Sequence, residues 1–111
     1  MFFIGKYYTK GVSGEKYELF NFPIPYEHPI LFEWEGVYIF AKEDGEFILV
    51  GSGNVRTETD RLIKEGGVME GGASIILIHL ENNPDNRKYK EIDIIKGNPE
   101  CFGEDGLNNK P

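Results

Sequence analysis

Cysteine is nearly missing from this chain: Cys101 is the only one in 111 residues. One thiol excludes an internal disulfide and any multi-cysteine zinc site, and it fits a reducing compartment. Long apolar runs are missing too. The opening MFFIGKYY has neither an extended apolar h-region nor a cleavage site, and no run approaches bilayer-spanning length. The expectation is a soluble cytoplasmic protein with no membrane partner. Basic charge is scarce, since 12 Lys and Arg stand against 19 Asp and Glu for a formal net charge of −7. Such a surface repels phosphate backbones, so any nucleic-acid reading has to gather its positive charge locally. A small-molecule ligand, or a protein partner with a basic face, is the alternative.

What is present describes a folded domain. The composition is 40% hydrophobic and 28% charged, and the length suits one core rather than two. Residues 1–33 form an aromatic, turn-rich lead-in in which short strands are expected, with a turn at 11–14 and an extended, proline-punctuated passage at NFPIPYEHP. Residues 34–111 carry the clearer signals, and both parts are read as one structural domain.

The stretch GVYIFAKEDGEFILVGSGN, residues 36–54, reads as a β-hairpin entering a helix. Strands at about 36–42 and 46–51 flank a Glu-Asp-Gly turn, and their unbroken apolar character calls for cover on both faces of the sheet. A helix is expected from near Thr57, with Asp60 completing a capping box, carrying Arg61, Leu62 and Ile63 before a stop at Gly66-Gly67. A third strand follows at about 73–80. The last helix is punctuated by Asn83 as cap, Pro84 in its first turn and Gly97 as stop. The order β-β-α-β-α gives an α+β fold, a small three-stranded, mainly antiparallel sheet flanked by helices, with the lead-in packed on it.

Glu91 draws notice within the last helix. On the helical wheel Tyr89, Ile92 and Ile95 form the apolar stripe, and Glu91 lies at its border, which predicts a half-buried carboxylate. Read structurally, it is a snorkelling glutamate or the partner of Arg87 at i, i+4. Tyr38 is likewise open to a plain reading as a core aromatic, and Gly51-Ser52-Gly53 as a turn needing positive φ.

Taken in series, GVY at 36–38, LVG at 49–51, Asn54-Val55, Arg61-Leu62, EIDII at 91–95 and the late Asn108 resemble the GIY-YIG nuclease superfamily over residues 34–109. The resemblance implies a divalent-metal-dependent endonuclease hydrolysing phosphodiester bonds in DNA. Tyr38 would help deprotonate or orient the attacking water, which needs a lowered pKa if it is to act as a base. Glu91 would be the lone protein ligand of Mg²⁺ or Mn²⁺, completed by waters and substrate phosphate. Arg61 would clamp phosphate oxygens, with Arg56 competing for that role because the spacing from Asn54 is longer than in the usual motif. Gly51, Ser52 and Asn54 would let the backbone approach the phosphate, and Asn108 would hold the site's backbone together.

The departures shape the alternatives. Leu49 stands where the second motif has tyrosine, and neither His28 nor His79 falls where many members carry a histidine after the helix. Tyr7, Tyr8, Tyr17 and Tyr26 are candidate suppliers of the lost hydroxyl. A catalytically degenerate binding or regulatory module on the same scaffold, or an unrelated α+β domain, competes with the enzyme reading. The expectation is a nuclease-like domain without a target-recognition domain, so that specificity would come from the lead-in, from a protein partner or from DNA structure.

Overall fold

The computed structural model describes residues 5–24 and 34–102. Its centre is a five-stranded antiparallel sheet in the order β1-β2-β5-β3-β4: β1 Gly5–Lys10, β2 Lys16–Pro23, β3 Glu35–Ala41, β4 Phe47–Asn54 and β5 Ile75–Leu80. The sheet thus has two strands more than expected. The lead-in supplies them as a hairpin, closed where the Gly11 N–H donates to the Glu15 carbonyl at 2.9 Å. In β2, Tyr17 and Leu19 point to one layer while Phe20 and Phe22 point to the other. Side chains on both faces let β2 pair with β5 and extend the core rather than lie on top of it.

Both faces are covered, as the unbroken apolar runs require. Helices α1 (Val55–Glu65) and α2 (Gly67–Glu70) accompany the face bearing Phe22, Tyr38, Phe40 and Ile78. Helix α3 (Pro84–Gly97) and a 3-10 turn at Pro99–Phe102 accompany the face bearing Tyr17, Leu19, Val37 and Ile39. Where Phe40 pairs with Leu49 but Ala41 with Phe47, Ile48 is an extra residue in β4. This bulge turns Ile48 and Leu49 towards the α1 layer.

Element boundaries move for physical reasons. β4 runs through Gly51, Ser52 and Gly53 to Asn54, pairing residue by residue with Tyr38, Val37, Gly36 and Glu35. The glycine corner is strand rather than turn, and only Gly53 in it has positive φ, at 139°. Helix α1 starts at Val55 instead of near Thr57, because the Asn54 side chain accepts from the Thr57 N–H at 3.0 Å. Asparagine is the better cap, which leaves Thr57 as the capped residue and frees Asp60 to pair with Arg56 at 2.9 Å. In α3, Asn83 accepts from the Asp85 and Asn86 N–H groups, both at 3.0 Å, as its cap position predicts. The helix includes Gly97 and ends at Asn98. A Cβ on Gly97 would strike the Lys10 carbonyl and Gly11, so this glycine serves a close approach of the lead-in hairpin and not the helix stop.

The buried stripe of α3 also differs from the wheel. Glu91, Asp93, Ile94 and Ile95 are buried, whereas Tyr89 and Ile92 are exposed. Asp93 accounts for much of the rotation. It accepts from the Ser13 N–H at 2.9 Å, the Ser13 hydroxyl at 2.7 Å and the Tyr17 hydroxyl at 2.6 Å, which fastens the helix to the β1–β2 turn. No helix among the described residues is long and apolar enough to cross a membrane.

Candidate functional site

The glycines of β4 open the sheet at one edge. Tyr38 on β3 lies opposite Gly51, and a Cβ on Gly51 would occupy the space of the tyrosine ring and hydroxyl. Two residues along the same strand, Gly53 lies under the stem of Glu58, whose Cγ is 3.5 Å from where a Cβ would stand. Tyr38 and Glu58 therefore sit side by side on the α1 face, over two positions without side chains. Ser52, between them in sequence, faces the other way, and its hydroxyl donates to Glu91 Oε1 of α3 at 2.5 Å.

Residues from both layers act on one another across this thinned edge. Tyr38 is 4% exposed. Burial, then the charges of Glu58 and Glu91, push its phenol up to about 12, with Arg61 pulling the other way. At neutral pH it is protonated and can donate. The lowered phenol pKa that a base would need is not met, because burial and the charges of two carboxylates outweigh one guanidinium.

Glu91 is 9% exposed, more deeply buried than the half-buried reading anticipated, and its partners differ too. The Lys88 ammonium pairs with Oε2 at 3.0 Å, and Ser52 takes Oε1. Arg87 instead pairs with Glu35 at 3.5 Å and donates to the Glu81 and Asn82 carbonyls. Arg61 reaches Glu58 at 2.8 Å and Glu65 at 2.9 Å, with its side chain 52% exposed. Arg56, Arg61 and Lys64 line a groove of about 610 Å³ along α1 together with Thr57, Asp60 and Glu65. The basic groups are gathered on that helix but interleaved with carboxylates, and Arg87 belongs to the other layer.

Of the residues singled out in the sequence, Tyr38, Gly51 and Arg61 share the α1 face of this edge with Glu58, while Ser52 and Glu91 meet on its α3 face. Arg56 lies in the adjoining groove. Asn54 is spent on capping α1, and Asn108 lies outside the described residues. Leu49 has no hydroxyl to bring to the corner and borders a separate hollow with Leu62, Glu65, Gly67 and Val68. The lead-in tyrosines bring none there either: Tyr17 donates to Asp93 and Glu15, while Tyr7 and Tyr8 are on β1 at the opposite edge of the sheet from β4. Tyr26 and His28 lie outside the described residues. His79 is engaged by the Glu18 carbonyl and Lys90, both at 3.0 Å.

Glu58 and Lys88 were not foreseen. The i, i+3 spacing of Glu58 and Arg61 put both on one side of α1 and was the available signal.

Among the described residues no group of three or more His, Cys, Asp and Glu side chains is arranged to hold a metal ion. A one-carboxylate site has a smaller requirement. Glu91 is a buried carboxylate held in place by Ser52, and its cationic neighbour Lys88 is 65% exposed on a flexible stem. A carboxylate oxygen paired with an exposed ammonium is donor chemistry that a hard cation keeping most of its waters accepts.

No protein-family model, curated protein or solved structure matches the chain.

Proposed function

We propose that the corner formed by Tyr38, Arg61 and Glu91 binds a DNA phosphodiester and hydrolyses it with the help of Mg²⁺ or Mn²⁺. The observation that carries this reading is convergence. A tyrosine and an arginine stand on one face of a strand edge at two bare glycines, a buried glutamate is held by Ser52 on its other face, and the charges of the arginine and the glutamate both reach the phenol.

Arg61 offers five donors in a planar fork, and its exposure lets a phosphate displace Glu65 from one side of it. Arg56 and Lys64, in the same groove, add positive charge along the approach. The protonated Tyr38 hydroxyl orients a water by hydrogen bonding. Glu91, fixed by Ser52, would hold the cation, which supplies charge stabilisation at the scissile phosphate. With few basic groups and a net charge of −7, affinity for undistorted duplex is weak, and a protein partner or a distorted DNA structure supplies specificity.

Supercoiled-plasmid nicking with and without Mg²⁺ or Mn²⁺, for the native protein and Glu91→Gln, tests the reading. The substitution preserves volume and helix packing, so melting should change little while metal-dependent nicking falls by orders of magnitude. Undiminished nicking by the variant would remove Glu91 from the mechanism.

A second reading, a phosphate-binding module without catalysis, is favoured by one feature: Leu49 leaves the corner without the second tyrosine hydroxyl. It predicts DNA binding with no nicking by the native protein under any of these conditions.

A further inference from the structure

The corner contains a carboxylate that the motif series does not account for. Glu58 lies in the first turn of α1, where the cap on Asn54 fixes the start of the helix and hence the direction of the side chain. Its Cγ lies 3.5 Å from where a Cβ on Gly53 would stand, beside the Tyr38 ring over Gly51, and its Oε2 accepts from Arg61 at 2.8 Å. Gly51 and Gly53 are same-face neighbours on a strand, roughly 7 Å apart, which is within the reach of a tyrosine hydroxyl and a glutamate head. The Glu58 charge is felt at the Tyr38 phenol, whose pKa it raises.

We propose that Glu58 is the proton acceptor of this corner, working through the Tyr38 hydroxyl and making good the hydroxyl lost at Leu49. The inference rests on the hydrolytic reading above. As a water oxygen attacks phosphorus, one water O–H bond breaks and its proton passes to the Tyr38 oxygen. Tyr38 at the same time releases its own proton to the Glu58 carboxylate. The P–O bond to the leaving sugar oxygen breaks, that oxygen takes a proton from solvent, and Glu58 returns its proton to solvent. Water is the only co-reactant.

A protonated phenol next to a carboxylate suits this exchange, because it both donates and accepts without ever becoming a free phenolate. The charged groups facing Glu58 are Arg61 from its own helix, with Glu65 beyond it. Tyr38 of β3 faces it from the sheet, and Glu91 of α3 acts on Tyr38 from the far layer. Arg61 binds Glu58 from one side and phosphate from the other, which ties proton acceptance to substrate binding.

The test combines chemistry with spectroscopy. Glu58→Gln is compared with the native protein and Tyr38→Phe in metal-dependent nicking over a range of pH, with melting curves on each. The Tyr38 titration is read from the ¹³Cζ resonances of labelled tyrosine, assigned by its loss in Tyr38→Phe. The expected result is a drop in nicking on the order of a hundredfold or more for Glu58→Gln, loss of the pH-dependent rise in rate, and a Tyr38 midpoint moved towards that of an ordinary phenol. Adding Glu58→Gln to Tyr38→Phe should cost nothing further.

Full nicking by Glu58→Gln overturns the inference while leaving the nuclease reading in place, and so does an unmoved Tyr38 midpoint. A native protein inert with both metals overturns the nuclease reading and this inference together. Should Glu58→Gln melt early, the Tyr38→Phe rate decides alone, since that variant keeps the ring over Gly51, and native-like nicking by it removes the relay.

Discussion

A missing methyl group organises the corner. The Tyr38 ring needs the space above Gly51, so Gly51→Ala should force it out of place and destabilise the fold by about 1–3 kcal/mol. Thermal melting measures the cost, and an unchanged Tm would mean that the ring has another place to go. Asp93 makes the opposite kind of contribution, by accepting three hydrogen bonds in a buried setting. Asp93→Asn replaces an acceptor oxygen by a donor and leaves a Ser13 or Tyr17 donor unmet, for an expected loss of about 1–3 kcal/mol. Burial pushes the Asp93 carboxyl up, but the bonds from Tyr17 and Ser13 outweigh it and hold it below its ordinary 3.8. A depressed carboxyl stabilises the fold above its unfolded pKa, and that contribution is lost as pH falls below about 4. Melting curves followed downward from about pH 5 should therefore fall less steeply for Asp93→Asn than for the native chain.

At the scale of elements, α1 positions the site and Asn54 positions α1. Asn54→Ala should cost about 1 kcal/mol and should lower nicking more than stability, since Glu58 and Arg61 both depend on where the first turn begins. Equal nicking at matched folded fractions would show that the cap is only structural. The elements were also where reading from sequence succeeded and failed. The β3–β4 hairpin, β5 and the start of α3 were legible because turn residues and apolar runs mark them locally. The β1–β2 hairpin was visible as short strands and a turn, but its place in the central sheet was not, since its pairing with β5 joins Phe20 to Ile78 and leaves no short-range trace. The wheel of α3 misled because it weighs apolar side chains, whereas two acidic residues fill the buried side and the hairpin turn and β4 supply their partners. Motif spacing singled out Tyr38, Arg61 and Glu91. Glu58, with no such mark, was missed.

For the whole molecule, charge and sheet order set the limits. If Arg56, Arg61 and Lys64 neutralise about three phosphates, log affinity for DNA should fall against log salt with a slope of about −3. Fluorescence anisotropy at several salt concentrations reads it, and a slope near zero would sink the phosphate reading. At alkaline pH, Tyr17 and Tyr38 act in the same direction. Burial first raises both phenols, assisted at Tyr17 by its bonds to Asp93 and Glu15, so their contribution is complete below the ordinary value of 10.0 and is lost as pH rises above it. The melting temperature should decline from about pH 10 upward, and by less in Tyr17→Phe.

The place of β2 against β5 also governs how the chain finds its structure. β3 and β4 join across a short turn, and β5 returns to β3 after one helical passage, so residues 35–80 can assemble from contacts close along the chain. The pairing of Phe20 with Ile78 has to close a much longer loop and gains its full reward only once β5 is seated. The N-terminal hairpin, made first as the chain emerges, is then among the last parts to dock, and α3 waits with it because Asp93 has its partners there. Backbone amides of β1 should exchange with deuterium earliest among the strands and those of β3 latest, with a destabilised hairpin releasing the end of α3 before it disturbs Tyr38.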